Sequence, residues 1–312
     1  MNLRPHIVIA DLLPLEEQHY RQLHSLGELA VYDDYPTEDQ LIKRIASARI
    51  ITTNRTAITA DVLKHCPYLK YIVVPSVGWE WVDGAAARQR GITVVNCPTH
   101  NAQATAELTL ALLLAVTRRI VQSQHSFRNS MWRPHGISGC ELAGKQAVVV
   151  GRGNIGSKTT QMLRSLGMTV HVVHSSTTAK QLDHLLQETD FLILNVPLTP
   201  KTHHLIDKRR LSLLKKTAYI VNTSRGAVID QQALLSTLRQ EKIAGAALDV
   251  FEGEPLVGKP TEEMMELARL PNVVATQHIG SATVETRYRL GEELIKVLQS
   301  CLVDLPINRV NG

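Results

Sequence analysis

Long apolar runs are missing from this 312-residue chain. The longest, Leu108 to Val116, is interrupted by Thr109, well short of the roughly 20 residues needed to cross a bilayer. The first ten residues hold one arginine and only a brief apolar stretch, which does not read as a secretory signal. Cysteine is scarce: Cys66, Cys97, Cys140 and Cys301 stand far apart with no C-x-x-C pair. That excludes a disulfide framework and points to reduced thiols in the cytoplasm. Cys97-Pro98-Thr99-His100 has the spacing of a metal-ligand pair, but no second pair completes it, so no metal is expected. Aromatic residues make up only 4% of the chain, and the formal charge of +5 is spread over scattered lysines and arginines. Neither a stacking platform nor a basic stripe for nucleic acid follows. What remains, 44% apolar and 20% charged, is an ordinary globular composition, at a length that suggests about two domains. A mild positive excess suits an anionic small molecule.

Against this background one stretch stands out. Ala147-Val148-Val149-Val150 is a short apolar run that opens directly into Gly151-Arg152-Gly153-Asn154-Ile155-Gly156, followed by a segment of helical composition from Ser157. Strand, G-x-G-x-x-G turn and helix start, in that order, form a dinucleotide-binding fingerprint. Gly151 permits the sharp turn, Gly153 lets the backbone approach a pyrophosphate, and Gly156 lets helix and strand pack closely. The pyrophosphate would then face the N–H groups and positive dipole end of the helix.

The rest of the chain alternates strand and helix. Apolar runs at Ile7–Ala10, Leu29–Tyr32, Arg49–Thr52, Tyr71–Pro75 and Thr93–Asn96 predict five strands, with helices at Pro14–Leu26 and at Thr37–Ala46, the latter with Thr37 and Gln40 at capping-box spacing. A long helix is expected over Asn101–Ser126, apolar around much of its girth, as suits burial on more than one side. A second strand series then runs through Ala147–Val150, Val170–Val173, Phe191–Val196, Ala218–Asn222, Ala246–Val250 and Val273–Thr276, and a helix spans Val284–Cys301. The pattern is α/β: two doubly wound parallel-sheet domains. The expected division is 1–98 with 285–312 for a substrate domain and 99–284 for a dinucleotide domain.

Three polar clusters follow strands of the second half, at the sheet edge where open α/β folds bind ligands. They are Asn222-Thr223-Ser224-Arg225-Gly226, Asp249 through Glu254-Pro255, and Gln277-His278-Ile279-Gly280. An arginine can clamp a carboxylate with its planar fork. A carboxylate beside an imidazole fixes its tautomer and orientation. With a nicotinamide cofactor the set describes reduction of a 2-keto acid, His278 giving a proton to the carbonyl oxygen while Arg225 polarises it.

These motifs, with Ser76-Val77-Gly78 and Val196-Pro197-Leu198-Thr199-Pro200-Lys201-Thr202, resemble the D-isomer-specific 2-hydroxyacid dehydrogenase family along essentially the whole chain. The resemblance implies a Rossmann dinucleotide domain inserted into a flavodoxin-like substrate domain, a homodimer built around the long helix near 101–126, and closure of the domains over a small 2-keto or 2-hydroxy acid of the glyoxylate or hydroxypyruvate type. It implies Arg225, Glu254 and His278 as catalytic residues, and Val77, Gly78 and Arg225 as binders of the substrate carboxylate. Toward the cofactor it implies Thr105, the turn Gly151, Arg152, Gly153, Asn154, Ile155 and Gly156, and the strand-end residues His174, Ser175, Ser176 and Thr177. Val196, Pro197, Thr223, Ser224, Arg225, Asp249, His278 and Gly280 complete that set. The alternative within the same fold is a dinucleotide-binding co-repressor or scaffold with little turnover.

The chain departs from the family's pattern at three places. No Asp or Glu stands about 20 residues after the glycine turn, where NAD users bond the ribose 2′-OH. His174-Ser175-Ser176-Thr177 occupies that point instead and removes repulsion toward a 2′-phosphate, with Arg152 or Lys180 as added charge. NADP is therefore the expected cofactor, with NAD as the alternative. Gln277 replaces the proline that commonly precedes the catalytic histidine. Trp79 and Trp81 either shape the substrate pocket, or Trp81 belongs to the core.

Overall fold

Short β-branched runs alternate with amphipathic segments, and the computed structural model, which describes residues 6–132 and 137–312, folds them as two parallel sheets. In chain order the elements begin with β1 (His6–Ile9), α1 (Glu17–Leu26), β2 (Glu28–Val31), α2 (Glu38–Ile45), β3 (Ile50–Thr52), α3 (Ala60–Lys64), β4 (Tyr71–Val74), α4 (Gly84–Gln89) and β5 (Thr93–Asn96). Next come α5 (Ala102–Thr117), α6 (Ile120–Arg128), β6 (Gln146–Val150), α7 (Asn154–Ser165), β7 (Thr169–Val173), α8 (Ala179–Glu188) and β8 (Phe191–Leu194). The series ends with α9 (Lys208–Leu211), β9 (Tyr219–Asn222), α10 (Gln231–Arg239), β10 (Gly245–Leu248), α11 (Glu262–Ala268), β11 (Val273–Ala275) and α12 (Val284–Leu302). One unit takes the chain up to Asn101 together with Ala282–Gly312, and the other is Ala102–Ser281. The divisions thus fall at 101/102 and 281/282, against the 98/99 and 284/285 expected from sequence. Among the described residues no helix is long and apolar enough to cross a membrane.

In the first unit the strand order is β2-β1-β3-β4-β5, all parallel, the flavodoxin-like arrangement. Successive strand residues face opposite sides, and the core divides accordingly. Val8, Ile51, Ile72 and Val94 join one buried cluster. Ile7, Ile9, Ile50, Val73 and Val95 join the other, where Leu294, Val297 and Leu298 of α12 cover them. Both faces are dry, so these strands read as unbroken apolar runs. Trp79 and Trp81 pack against the first of these clusters, and a ring carbon of Trp79 lies where a Cβ on Gly84 would stand, 2.7 Å away. The two rings left open by the sequence are therefore core-packing groups of this unit. The capping box at α2 forms as the spacing predicts: Gln40 N donates to Thr37 Oγ1 at 3.4 Å, and Thr37 N donates to Gln40 Oε1 at 2.9 Å.

The second unit has the order β11-β10-β9-β8-β6-β7, again all parallel. Numbered within the unit this is 2-1-3-4-5-6, not the usual Rossmann 3-2-1-4-5-6. The chain steps from β6 outward to β7 and returns on the other side of β6 to β8, so the order reverses between β6 and β8. Ligands of doubly wound sheets bind at such a switch point. Val148, Leu192, Ile220 and Ala246 bury one face. Ala147, Val149, Phe191, Ile193 and Val221 bury the other, under Leu112, Leu113 and Val116 of α5. Fully buried Leu113 contributes about 1.5–3 kcal/mol by leaving water.

The single long helix expected over Asn101–Ser126 is two helices. Arg119 adopts a left-handed conformation (φ 51°, ψ 41°) between α5 and α6. The carbonyl of Thr117, left without a helical partner, accepts from Cys140 N at 3.0 Å. Returning chain thus satisfies the helix end, and Arg119 serves the turn that glycine more often makes. Beyond the break the apolar side chains of Ile120, Val121, Phe127 and Trp132 are exposed.

Candidate active site

The glycine turn sits at the β6–β8 switch point, all within the second unit. Gly151 has φ +114°, and a Cβ there would stand 2.2 Å from the carbonyl oxygen of Asn195, the first residue past β8. A Cβ on Gly156 would meet the carbonyl oxygen of Gly151 at 2.1 Å. Both positions exclude any side chain. Gly153 differs: nothing lies within 4 Å of a Cβ there. That space, at the N-terminus of a 12-residue helix that no side chain caps, is a cradle an anion fits. Elsewhere in the unit Thr178, Asp230 and Thr261 cap their helices with side-chain oxygens. The residues present therefore suit a dinucleotide pyrophosphate.

Past β7 the strand-end residues bond to one another. His174 N donates to Thr177 Oγ1 at 3.1 Å, and Ser176 Oγ lies 2.9 Å from His174 Nδ1. His174, Ser176 and Thr177 line a pocket of about 380 Å³ together with Gln181, His184 and Leu185 of α8. Among the described residues no carboxylate lines it, and imidazole and hydroxyl groups are donors a ribose phosphate can use.

Beyond β9, the side chain of Asn222 organises the next turn: it accepts from Ser224 N (3.1 Å) and Ser224 Oγ (2.9 Å), and donates to Arg225 O (2.9 Å). Arg225 Nη1 donates to the carbonyl of Ser224 at 2.7 Å. A Cβ on Gly226 would fall 1.8 Å from the carbonyl carbon of Phe251. This backbone-on-backbone contact brings the turn after β9 directly against the turn after β10. In that second turn Phe251 N donates to Glu254 Oε1 at 2.7 Å, while Glu254 Oε2 lies 2.6 Å from His278 Nδ1. The structure therefore joins the three polar clusters: arginine turn against glutamate turn, glutamate against histidine.

His278 itself has φ 55°, uncommon for a residue with a side chain. The buried Asp249 holds this conformation in place. Its backbone carbonyl accepts from His278 N at 2.8 Å, and its carboxylate accepts from Thr276 Oγ1 (2.6 Å), Ile279 N (2.8 Å) and Gly280 N (2.9 Å). The two carboxylate oxygens of Asp249 thus cap the loop that carries His278. Thr105 Oγ1 donates to Gly280 O at 3.2 Å. Nearby, the hydroxyl of Thr109 lies 2.7 Å from that of Thr223, which accepts from Asn195 Nδ2 at 3.3 Å. Thr109 escaped the sequence reading because a buried threonine in an apolar helix looks like core, and Asn195 because it fell inside the strand expected over Phe191–Val196. Val196 and Pro197 follow β8; the methyl of Val196 touches the Gly151 position and Pro197 O accepts from Thr202 Oγ1 at 2.7 Å.

In the first unit the Ser76–Gly78 loop leaves β4 with its carbonyls tied down. Ser76 O accepts from Cys97 N (3.2 Å), Val77 O from Asn96 Nδ2 (2.8 Å) and Gly78 O from Ser76 Oγ (2.5 Å). In a trans peptide the N–H points opposite to the C=O, so the N–H groups of Val77 and Gly78 are turned away from Cys97 and Asn96. Cys97 is fully buried, burial pushes its thiol well up, and His100 Nδ1 faces Glu293 at 3.3 Å.

The profile of the D-isomer specific 2-hydroxyacid dehydrogenase NAD binding domain matches residues 110–280. A glyoxylate reductase of Thermofilum pendens is 36% identical, over 98% of this chain and 95% of its own. A hydroxypyruvate reductase of Thermotoga maritima is 35% identical, over 91% of this chain and 94% of its own. Among solved structures, an acyclic imino acid reductase in complex with NADPH and D-Arg superposes with a TM-score of 0.89 at 28% identity, covering 98% of this chain and 99% of that one.

Proposed function

The chain belongs to the D-isomer-specific 2-hydroxyacid dehydrogenase family, and from that premise we propose that it reduces a small 2-keto acid of the glyoxylate or hydroxypyruvate type to the D-2-hydroxy acid. The observation that carries this reading is the 2.6 Å contact between Glu254 and His278, set against the turn of Arg225. A bound nicotinamide dinucleotide supplies the hydride. His278 uses Nδ1 on Glu254, so the proton it delivers to the carbonyl oxygen is the one on Nε2. Glu254 orients the ring, selects that tautomer and balances the imidazolium charge. Arg225 holds the substrate carboxylate and polarises the carbonyl, lowering the cost of developing negative charge. To the same carboxylate we assign the backbone N–H groups of Val77 and Gly78.

Gly151, Gly153 and the first turn of α7 would hold the pyrophosphate, and His174, Ser176 and Thr177 the adenosine ribose. We assign NADP as the preferred form: the pocket past β7 offers hydroxyl and imidazole donors and no carboxylate. Substrate binding is assigned to the unit built on β1–β5 and dinucleotide binding to Ala102–Ser281. A homodimer through α5 and α6 would cover the exposed Ile120, Val121, Phe127 and Trp132. Four cysteines, all without a disulfide, fit a reducing cytoplasm.

The experiment is oxidation of NADPH and NADH with glyoxylate, hydroxypyruvate, pyruvate and bulkier 2-keto acids. Turnover with a small 2-keto acid supports the reading. Tight cofactor binding with negligible oxidation against the whole panel favours the co-repressor alternative.

A further inference from the structure

We propose that His203, His204 and Glu252 form a binding site for a divalent transition-metal ion of the zinc class, apart from the groups assigned to hydride transfer. Sequence alone hides it, because the glutamate lies 48 positions beyond His204. One ligand atom from each of the three lies within 4.8 Å of the others. His204 Nε2 stands 3.1 Å from Glu252 Oε2 and 3.2 Å from Oε1, and the two imidazole rings stack with centroids 4.0 Å apart.

The backbone fixes all three positions. His203 N donates to Thr199 O at 2.9 Å, and His204 N donates to Ala227 O at 2.8 Å with His204 held at φ 46°. Glu252 N donates to Gln231 Oε1 at 2.9 Å. Only side-chain torsions remain to adjust. A tetrahedral zinc ion with bonds of about 2.0–2.1 Å sets its ligand atoms roughly 3.4 Å apart. The cluster must contract by at most about 1.4 Å from the 4.8 Å limit, within the reach of the exposed His203 ring. His204 and Glu252 are about one-third exposed, at 35% and 38% of their side chains, so an ion has access and water can complete its shell. Two imidazoles and one carboxylate select Zn²⁺, Cu²⁺ or Ni²⁺ over Mg²⁺ and Ca²⁺, which take oxygen ligands.

The competing account is a surface His–Glu ion pair with a stacked neighbour and no ligand. The probe that separates the two is the metal alone. Full-length protein, stripped with chelator and free of any affinity tag, is titrated with ZnCl₂ by calorimetry and with Co²⁺ by visible absorption. The expected result is one saturable ion per chain with a tetrahedral cobalt spectrum, and a rise in Tm on zinc addition. Acidification should weaken binding, because protons and the metal compete for the same ligand atoms. H203A, E252Q and H204N, which retains a residue tolerant of positive φ, should each weaken binding by about tenfold or more with unchanged apo Tm. Absence of a stoichiometric site, or zinc affinity unchanged in H203A and E252Q, overturns the proposal.

Discussion

Gly226 has no room for a β-carbon because the backbone of Phe251 occupies the place, 1.8 Å from where that carbon would stand. The contact is what puts the arginine turn against the glutamate turn. Gly226→Ala must separate the two segments, since the obstacle is backbone and not a flexible side chain. We expect a loss of about 2–3 kcal/mol of stability together with a large fall in kcat. Thermal unfolding and steady-state rates measured on the same sample check both; a variant with wild-type Tm and rate contradicts the assembly described above.

Gly153→Ala is the opposite case, because a methyl group there meets nothing within 4 Å and the local φ of −74° suits any residue. The expected outcome is an unchanged Tm with a dissociation constant for NADPH raised about tenfold or more, the methyl standing where a pyrophosphate approaches. Fluorescence titration with NADPH measures it. Unaltered affinity would move the phosphate site elsewhere.

His174→Asp places a carboxylate at the end of β7, where it accepts from a ribose 2′-OH and repels a 2′-phosphate. The ratio of kcat/KM for NADPH to that for NADH should fall about tenfold or more. An unchanged ratio removes the basis for assigning NADP.

Glu293 of α12 takes on Thr99 and His100: its carboxylate accepts from Thr99 N (3.1 Å), Thr99 Oγ1 (2.8 Å) and His100 N (2.9 Å). Burial alone pushes this carboxyl up, but the hydrogen bonds from His100 and Thr99 outweigh it and hold it below the usual range. A group depressed in the folded state stabilises fully above its unfolded value of about 4.3, and that stabilisation is lost as pH falls through the lower folded value. Glu293→Gln should cost about 1–3 kcal/mol at neutral pH, and its deficit in Tm should narrow as the solution is acidified below pH 4. A deficit independent of pH would show that packing, not charge, is responsible.

The strands, the Thr37–Gln40 capping box and the glycine turn were legible because each is a local pattern: an apolar run, a spacing of three, a turn between strand and helix. That the turns of Arg225, Glu254 and His278 meet was legible because each follows a strand whose C-terminal end faces the same edge. The strand order of the second sheet was not, since crossovers decide it and they leave no mark on composition. The break at Arg119 was hidden because it depends on Cys140, 21 positions away, donating to Thr117. For the same reason the sequence did not show that the Asp249 carboxylate accepts from Thr276, Ile279 and Gly280. The two histidines at 203 and 204 gained meaning only from Glu252.

Proton delivery by the imidazole that Glu254 holds is the step proposed for His278, and replacing that imidazole probes it. His278→Ala should lower kcat for reduction of the preferred 2-keto acid about 10³-fold, with the dissociation constant for NADPH within about threefold of wild type. The two quantities come from one preparation, by stopped-flow turnover and by cofactor fluorescence. A variant that binds NADPH and still turns over at near the wild-type rate would contradict the central claim.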